Sequence, residues 1–167
     1  MLERTAKFCP ECGAALNLQE RYGRLRPVCP ACQHTVFFDP KVAVVAFVLR
    51  DDDVLLVKRA LDPGKGLWAL PAGFVDHDED PRLAAAREAE EETGLQVEID
   101  ALMDVLHRPD VDGLADIVIA YSGHVTGGTL RADDDAEDVG WFARDALPPL
   151  GLVTTQRLIE AWLSRSS

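Results

Sequence analysis

The segment 73–95 constrains this chain more than any other, because it combines a strong helix pattern with an unusual density of acidic side chains. Pro81 suits the first position of a helix, Gly94 suits the position just past its end, and the alanine-rich interior favours helix between them. Four glutamates fall in the last two turns, between residues 88 and 92. The sequence therefore predicts a helix whose C-terminal half concentrates negative charge.

Three of these glutamates share one side of the predicted helix. At about 100° per residue, Glu88, Glu91 and Glu92 lie within about 100° of one another, whereas Glu90 points nearly opposite. Like charges at this spacing cost about 0.2–0.5 kcal/mol per pair, and acids in the last turns also oppose the helix dipole. A hard divalent cation such as Mg²⁺ or Mn²⁺ removes this penalty. A solvated acidic face is the alternative interpretation.

The spacing of the whole segment resembles the Nudix box, G-x5-E-x7-R-E-U-x-E-E-x-G-U, in which U is bulky or aliphatic. Every fixed position matches over the 23 residues from Gly73 to Leu95, with Ala89 as a small apolar residue at the first U. The resemblance implies an α/β/α sandwich with a mixed sheet. It also implies hydrolysis of the diphosphate bond of a nucleoside diphosphate linked to another moiety.

The resemblance assigns roles to residues of the box. Glu88, Glu91 and Glu92 would bind the catalytic Mg²⁺ or Mn²⁺ ions, while Arg87 and Glu79 would brace the box. Arg87 would orient the metal-binding carboxylates. The ions would neutralise the diphosphate and lower the pKa of a bound water that attacks phosphorus.

Besides the fixed positions of the box, five residues are candidates for the site. Glu137 is our first choice for an extra metal ligand or base, because the run 131–142 resembles the family's acidic segment ahead of a Trp-Phe strand. Arg59 and Lys65 are candidates for binding the substrate phosphates. Trp68 and Phe74 are candidates for stacking on a base. Solvent exposure of the charged residues and core packing of the aromatic residues are the alternatives.

Four cysteines form two C-x2-C pairs near the beginning of the chain, namely Cys9, Cys12, Cys29 and Cys32. Sixteen residues separate the pairs, which is the spacing of a four-thiolate Zn²⁺ site. The alternative is two disulfides, which the reducing cytosol and the lack of a signal sequence at the start disfavour. We expect a closed structural site that supports folding or forms a homodimer contact.

Pattern changes along the chain predict two domains, a zinc ribbon over 1–39 and a Nudix domain over 40–167. The apolar run 42–49 predicts a strand buried on both faces, and 54–58 predicts its hairpin partner. The other predicted elements are strands at 67–70, 96–106, 115–125 and 139–142, a turn at 71–73 and a closing helix near 152–163.

Composition restricts the location and the partners. The net charge is −12, with five Lys/Arg against four Asp/Glu in residues 1–40 and 12 against 25 in the remainder. The acidic second part argues against a long nucleic acid track. No apolar run approaches the length of a membrane span. We therefore predict a cytoplasmic protein with a small nucleotide substrate and no membrane partner.

The ribbon and the box together resemble two groups of Nudix proteins. One group, the NADH diphosphatases, carries an SQPWPFP-like stretch after the box, and residues 96–113 contain nothing similar. The other group is related to FAD diphosphatases and fits the length and the passages CPECG, FFDPKVAV and GLWALPAGFVD. FAD and ADP-ribose are the expected substrates. An RNA-cap diphosphatase, for which Arg21, Arg24 and Arg26 would grip RNA, and a non-catalytic nucleotide sensor are the alternatives.

Overall fold

A computed structural model describes residues 5–107 and 115–164 of the chain. Its internal contacts divide the chain into two compact units, Met1–Pro40 and Lys41–Ser167. Within the described residues, no helix is long and apolar enough to cross a membrane.

The first unit is built around a two-stranded hairpin, β1 (Asn17–Arg21) and β2 (Arg24–Val28). One C-x2-C turn precedes the hairpin and the other follows it. The buried apolar residues described in this unit are Cys9, Pro27, Val28 and Cys29. So small an apolar core implies that the unit needs another source of stability, such as a metal ion.

The second unit contains a seven-stranded sheet and two helices. Its elements in chain order are β3 (Val42–Arg50), β4 (Asp53–Arg59), β5 (Trp68–Ala69), β6 (Ala72–Phe74), α1 (Pro81–Thr93), β7 (Leu95–His107), β8 (Ile117–Gly128), β9 (Ala136–Phe142) and α2 (Val153–Ser164). The main strand order is β5-β4-β3-β8-β7, while β6 pairs with β3 and β9 pairs with β4. Strands β3 and β8 are parallel and the other pairs are antiparallel, so the sheet is mixed.

The central strand β3 explains why both faces of the sheet are covered. Its odd-numbered residues Val45 and Phe47 belong to the core on the α2 side, together with Ile159 and Trp162. Its residues Val44, Ala46 and Val48 lie in the cores on the α1 side, with the alanines of α1. Because side chains alternate along a strand, an unbroken apolar run requires a covering layer on each face. The predicted α/β/α sandwich with a mixed sheet is confirmed.

The structure differs from the predicted elements in two places that matter for the site. Residues 71–73 were expected to form a turn, but β6 pairs its Ala72 with Val45 and its Phe74 with Ala43. The expectation was wrong because a three-residue strand is too short to show an alternating pattern. Strand β9 begins at Ala136, three residues before the predicted start at 139, which places Glu137 within the sheet.

Candidate active site

Helix α1 is fixed at both ends by its capping residues. The Asp80 side chain accepts a hydrogen bond from the backbone N–H of Arg82 at 2.8 Å. Gly94 adopts a left-handed conformation with φ of 69° and donates its N–H to the carbonyl of Glu90. The buried face carries the small residues Ala84, Ala85 and Ala89. These alanines allow the helix to lie close to the sheet, with its acidic C-terminal half beside β6.

Arg87 lies at the centre of a hydrogen-bond network that uses each of its five N–H donors. Its Nε and Nη2 bind the two carboxylate oxygens of Glu79 at 2.8 and 2.9 Å. Its Nη1 donates to Glu88 at 2.8 Å and to Glu91 at 2.9 Å, and Nη2 also donates to the carbonyl of Phe74. The guanidinium of Arg87 lowers the pKa of Glu79. The network holds three acids and the end of β6 in one arrangement.

Glu88 and Gly73 are in very close contact. A Cβ atom placed on Gly73 would stand 1.9 Å from Cδ of Glu88 and 2.1 Å from each of its carboxylate oxygens. The first glycine of the box is therefore required for space, because the carboxylate occupies the position of a side chain. Burial raises the pKa of Glu88, against the opposing effect of Arg87.

Glu92 is the most deeply buried acid of the box, with 6% of its surface exposed. Its carboxylate accepts a hydrogen bond from the backbone N–H of Ala72 in β6 at 3.1 Å. Burial raises the pKa of Glu92 to about 8. In the absence of a cation, this carboxyl group therefore keeps its proton near neutral pH.

The segment 129–135 crosses the C-terminal end of α1 and supplies hydrogen bonds that the helix lacks. The carbonyls of residues 92–94 accept from the N–H groups of Asp133, Arg131 and Thr129 at 3.3, 2.9 and 3.0 Å. Carbonyls at the end of a helix have no partner within the helix. Capping them in this way brings the acids that follow Arg131 to the glutamate-rich end of α1.

Two of these acids, Asp134 and Asp135, line a cavity with Glu88 and Glu91. Glu137 does not line it. Its side chain forms an ion pair with Lys58 at 3.4 Å, and about half of it is exposed. The register of β9 with β4 shifts between Lys58 and Arg59, so Glu137 is an extra residue in the strand and does not follow its regular alternation. Asp134 and Asp135 were missed because five acids crowd the run and nothing in it marks the start of the strand.

The cavity has a volume of about 550 Å³ and two chemically different sides. One side carries acids, and the other is formed by small apolar residues of the central strands and by the start of α2. The apolar lining residues include Ala43, Val45, Ala115, Val118 and Leu152. A cavity of this size fits a nucleotide-sized ligand with a charged part and a planar or apolar part.

Arg59 also lines the cavity, and its guanidinium is held in place at one nitrogen. Its Nε donates to the carbonyl of Pro63 at 2.8 Å. Its backbone N–H and carbonyl both bond to the loop 63–67, through Leu67 and Gly66. Because the two terminal nitrogens take no part in these bonds, they present a donor fork toward the cavity.

The other three candidates for substrate binding differ in their surroundings. Phe74 lines the cavity with 44% of its surface exposed, and Nζ of Lys41 lies 5.4 Å from its ring centre. Trp68 packs edge-on against Phe142 at 4.6 Å, beside the α2-side core, as the packing alternative proposed. Lys65 is exposed in its loop and does not line the cavity. The structure therefore brings only Phe74 and Arg59 to the acids.

The donor set of the cavity suits a hard divalent cation. Glu88, Glu91, Asp134 and Asp135 offer carboxylate oxygens, which are the ligands that Mg²⁺ and Mn²⁺ prefer. Burial raises the pKa of Glu88 and the charges of Glu91 and Asp134 add to this effect, although Arg87 opposes it. Glu88, Glu91 and Glu92 do not all lie within 4.8 Å of one another. Such an open arrangement fits an ion that shares its coordination sphere with waters and phosphate oxygens.

The four cysteines of the first unit form a compact group, with all sulfur atoms within 4.8 Å of one another. Three of the Sγ···Sγ distances are 3.5, 3.6 and 3.7 Å. A tetrahedral site with Zn–S bonds of about 2.3 Å places its sulfurs about 3.8 Å apart, whereas a disulfide needs about 2.05 Å. The geometry therefore fits four-thiolate metal binding and excludes the disulfide alternative.

Comparisons with known proteins agree with this geometry. The family described as NUDIX domain matches residues 39–163. An ADP-ribose pyrophosphatase of Methanocaldococcus jannaschii is 38% identical over 119 residues, which is 71% of this chain and 70% of that protein. The NAD-capped RNA hydrolase NudC of Pseudomonas aeruginosa is 29% identical over 98% of this chain, which spans only 58% of that relative. A crystal structure of a NUDIX hydrolase from Nitrosomonas europaea has a TM-score of 0.88 at 27% identity, covering 96% of this chain and 92% of its own.

The fold and the acidic cavity define a hydrolase that acts on phosphoric anhydrides with the help of divalent metal ions. The chain belongs to the Nudix family. Its predicted activity as a hydrolase of nucleoside diphosphate derivatives is confirmed at the level of that family, together with the clustered cysteines.

Proposed function

We propose that this chain hydrolyses the diphosphate bond of ADP-ribose, or of a similar nucleoside diphosphate derivative such as FAD, and releases a nucleoside monophosphate. One observation carries the proposal: a single cavity combines six acidic side chains, a partly free guanidinium and an apolar wall. These features correspond to the metal ions, the phosphates and the organic part of such a substrate. The relative named ADP-ribose pyrophosphatase makes ADP-ribose the first choice.

Some residues of the cavity bind the substrate, and others orient the carboxylates. The terminal nitrogens of Arg59 bind phosphate oxygens, because its Nε is already held by Pro63. Arg87 contacts no substrate in this proposal, since its donors are used by Glu79, Glu88, Glu91 and the β6 backbone. It acts by fixing the direction of the carboxylates.

Mg²⁺ or Mn²⁺, when bound, supplies charge neutralisation of the diphosphate and a lowered pKa for water. Glu88, Glu91 and Glu92 would hold the ions, as the box implies. We replace Glu137 with Asp134 and Asp135 as candidates for the additional ligand or base, because these two line the cavity. In the first unit, Zn²⁺ bound by the four cysteines would be structural, since four thiolates leave no open coordination position.

Phe74 and the apolar wall would receive the organic part of the substrate. The ring of Phe74 lies at the cavity with 44% of its surface exposed, and β6 places it directly after Gly73. An exposed aromatic ring beside phosphate-binding groups suits stacking with a nucleobase.

A capped RNA is the second candidate substrate. The similarity to the NudC relative extends over 98% of this chain and so includes the cysteine unit, whereas the similarity to the ADP-ribose pyrophosphatase covers 71%. An NAD-capped RNA carries the same diphosphate bond at its end. The two candidates therefore share one catalytic site and differ in what lies beyond the cavity.

The test is a substrate panel with the full chain. The protein is incubated with Mg²⁺ or Mn²⁺ and with ADP-ribose, FAD, NADH, an NAD-capped RNA or ATP, and the products are separated by chromatography. We expect metal-dependent release of AMP, fastest from ADP-ribose. Preference for the capped RNA would support the second candidate instead.

Two glutamate variants provide the matched control. Glu91→Gln removes a charge at the cavity, and Glu90→Gln removes the same charge from an exposed position of α1 that does not line this cavity. We expect Glu91→Gln to lose most of the activity and Glu90→Gln to keep it. Equal activity in both variants, or no turnover of any substrate by folded protein supplied with metal, would contradict the proposal.

A further inference from the structure

The β1–β2 hairpin of the first unit presents a basic face that the catalytic site does not use. The cross-strand pairs Arg21↔Arg24 and Gln19↔Arg26 place three arginines on the same face of the hairpin. Glu20, the only acid of the hairpin, pairs with Leu25 on the opposite face. The basic face therefore contains no acid from its own two strands.

The turn of the hairpin carries an aromatic residue in a position that disfavours it. Tyr22 and Gly23 have φ of 52° and 73°, which is the pattern of a two-residue turn with both central residues at positive φ. Asn is the usual first residue of such a turn, and a bulky residue there is strained. Tyr22 is nonetheless 78% exposed. The residue preference of the turn therefore does not explain why a tyrosine is present here.

Tyr22 belongs to a stack on the basic face. Its ring lies against Phe37 with centroids 6.0 Å apart and an interplanar angle of 27°. The guanidinium of Arg26 lies 4.6 Å from the centre of the Phe37 ring. Phe37 is 52% exposed and the neighbouring Phe38 is 41% exposed. Planar groups are thus aligned side by side at the surface.

The arginines around this stack differ in how they are held. Arg26 donates through Nε to the carbonyl of Arg21, and Arg21 donates through Nη2 to the side chain of Gln33. Arg24 is exposed and forms no ion pair within the described part of the chain. Fixed guanidinium groups beside exposed rings suit a ligand that alternates planar bases with phosphates.

We propose that this face, formed by Tyr22, Arg24, Arg26 and Phe37, binds single-stranded nucleic acid. Bases stack on the exposed rings, and the phosphates lie against the arginines. Residues 1–40 carry a small positive balance, in contrast to the strongly acidic remainder, so attraction is local to this unit. An acidic protein surface would satisfy the charges, but it would not account for a strained and exposed tyrosine.

The experiment measures binding of the zinc-containing full chain to fluorescein-labelled single strands of about 16 nucleotides, a length within known site sizes. Fluorescence anisotropy is recorded without added Mg²⁺, at several salt concentrations, for an RNA, for a DNA of the same sequence and for the matching duplex. We expect both single strands to bind more tightly than the duplex, with affinity that falls as salt rises. Tighter binding of the RNA than of the DNA would show that the same site also recognises the 2′-hydroxyl groups.

Tyr22→Asn is the most informative variant, because Asn suits the turn better than Tyr and therefore preserves the hairpin. We expect it to weaken binding at least about fivefold, the lower range for losing one stacking partner. Arg24→Gln should weaken binding and reduce the salt dependence. Leu25→Gln changes an exposed residue of the opposite face and should leave affinity unchanged.

Two results would overturn the proposal. One is absence of single-strand binding at low salt by the wild-type chain with its zinc retained. The other is binding that Tyr22→Asn and Arg24→Gln leave intact. If anisotropy shows no binding while sedimentation shows self-association that Arg24→Gln abolishes, the face is instead an interface between copies of this chain.

Discussion

The carboxylate of Glu88 occupies the space in which Gly73 would carry a side chain. A Cβ on Gly73 would lie within 2.1 Å of all three atoms of that carboxylate group. Gly73 is in β6 and Glu88 is in α1, so this contact fixes how closely the helix approaches the strand beside the cavity. The requirement for glycine is steric, because its φ is not positive.

Gly73→Ala should therefore displace Glu88 and impair catalysis more than folding. A misplacement of about 1 Å at a catalytic group can cost about 100-fold in rate, and we expect a loss in kcat of at least that order. Overpacking should lower the free energy of unfolding by about 1–3 kcal/mol. Steady-state kinetics and denaturant unfolding measure the two effects.

Gly127→Ala is the control, because a Cβ there would meet the movable end of Gln96 at 2.7 Å. We expect it to keep near wild-type activity. Similar kcat values for the Gly73 and Gly127 variants would show that Glu88 tolerates displacement.

Arg87→Lys should reduce activity although it keeps the positive charge. The five hydrogen bonds of the guanidinium require a planar fork, and an ammonium group cannot bind Glu79 through two parallel bonds while reaching Glu88 and Glu91. Loss of a residue that orients metal ligands commonly costs about 10–100-fold in metal affinity or activity. The measurement is the Mn²⁺ dependence of the rate.

Arg82→Lys serves as the comparison on the same helix. The Nη2 of Arg82 donates to the carbonyls of Ile99 and Asp100, away from the cavity. Its activity and metal dependence should match those of the wild type. An unchanged Mn²⁺ dependence in the Arg87→Lys enzyme would show that Arg87 does not orient the metal-binding carboxylates.

The sequence was informative where one physical requirement dominated. The run 42–49 could only be a strand covered on both faces, and the helix of the box was bounded by Pro81 and Gly94 as its capping chemistry required. The four thiols were grouped correctly because a tetrahedral site restricts their spacing. In these cases the local sequence pattern and the tertiary contacts favoured the same structure.

It was less informative where the outcome depended on tertiary contacts. Trp68 packs edge-on against Phe142, and no local pattern distinguishes this from stacking on a substrate. Which of the acids in 133–138 line the cavity depends on the residue at which β9 begins. The pairing of β9 with β4 sets that residue. Hence Glu137 was chosen, although Asp134 and Asp135 line the cavity.

This difference yields a direct test of the extra ligand. Asp134→Asn and Asp135→Asn should each lower activity or metal affinity by about tenfold or more, because the amide removes an anionic oxygen from the cavity. Glu137→Gln should have little effect, since it loses only a half-exposed ion pair with Lys58, a kind of interaction worth about 0–1 kcal/mol. Metal titrations of the three variants test which acid is the additional ligand. A larger effect of Glu137→Gln than of the two aspartate variants would identify Glu137 as that ligand.

The burial of Glu92 predicts how pH affects stability in the absence of Mg²⁺ and Mn²⁺. The unfolded side chain ionises near pH 4.5, whereas the folded one keeps its proton up to a pKa of about 8. Between these values the unfolded state binds fewer protons, so the stability of the metal-free protein falls as pH rises. Thermal unfolding from pH 5 to pH 8.5 measures this slope.

Glu92→Gln should flatten that slope, because an amide of the same shape keeps the bond to Ala72 and does not ionise. Glu90→Gln, at an exposed position, should leave it unchanged. Added Mn²⁺ should raise the stability of the wild type at high pH more than that of Glu92→Gln. A wild-type slope equal to that of Glu92→Gln would show that the carboxyl is ionised in the folded state.

Loss of zinc should unfold the first unit and leave the second folded. The first unit buries few apolar side chains, and binding of a structural zinc supplies about 10–16 kcal/mol in small thiolate sites. The second unit has its own cores between the sheet and both helices. We expect one zinc per chain, lost in Cys12→Ala. Hydrogen exchange should then show unprotected amides in β1 and β2 and unchanged protection in β3 and β4. Persistent protection of the hairpin in zinc-free Cys12→Ala would mean that its backbone pairing holds the unit without the metal.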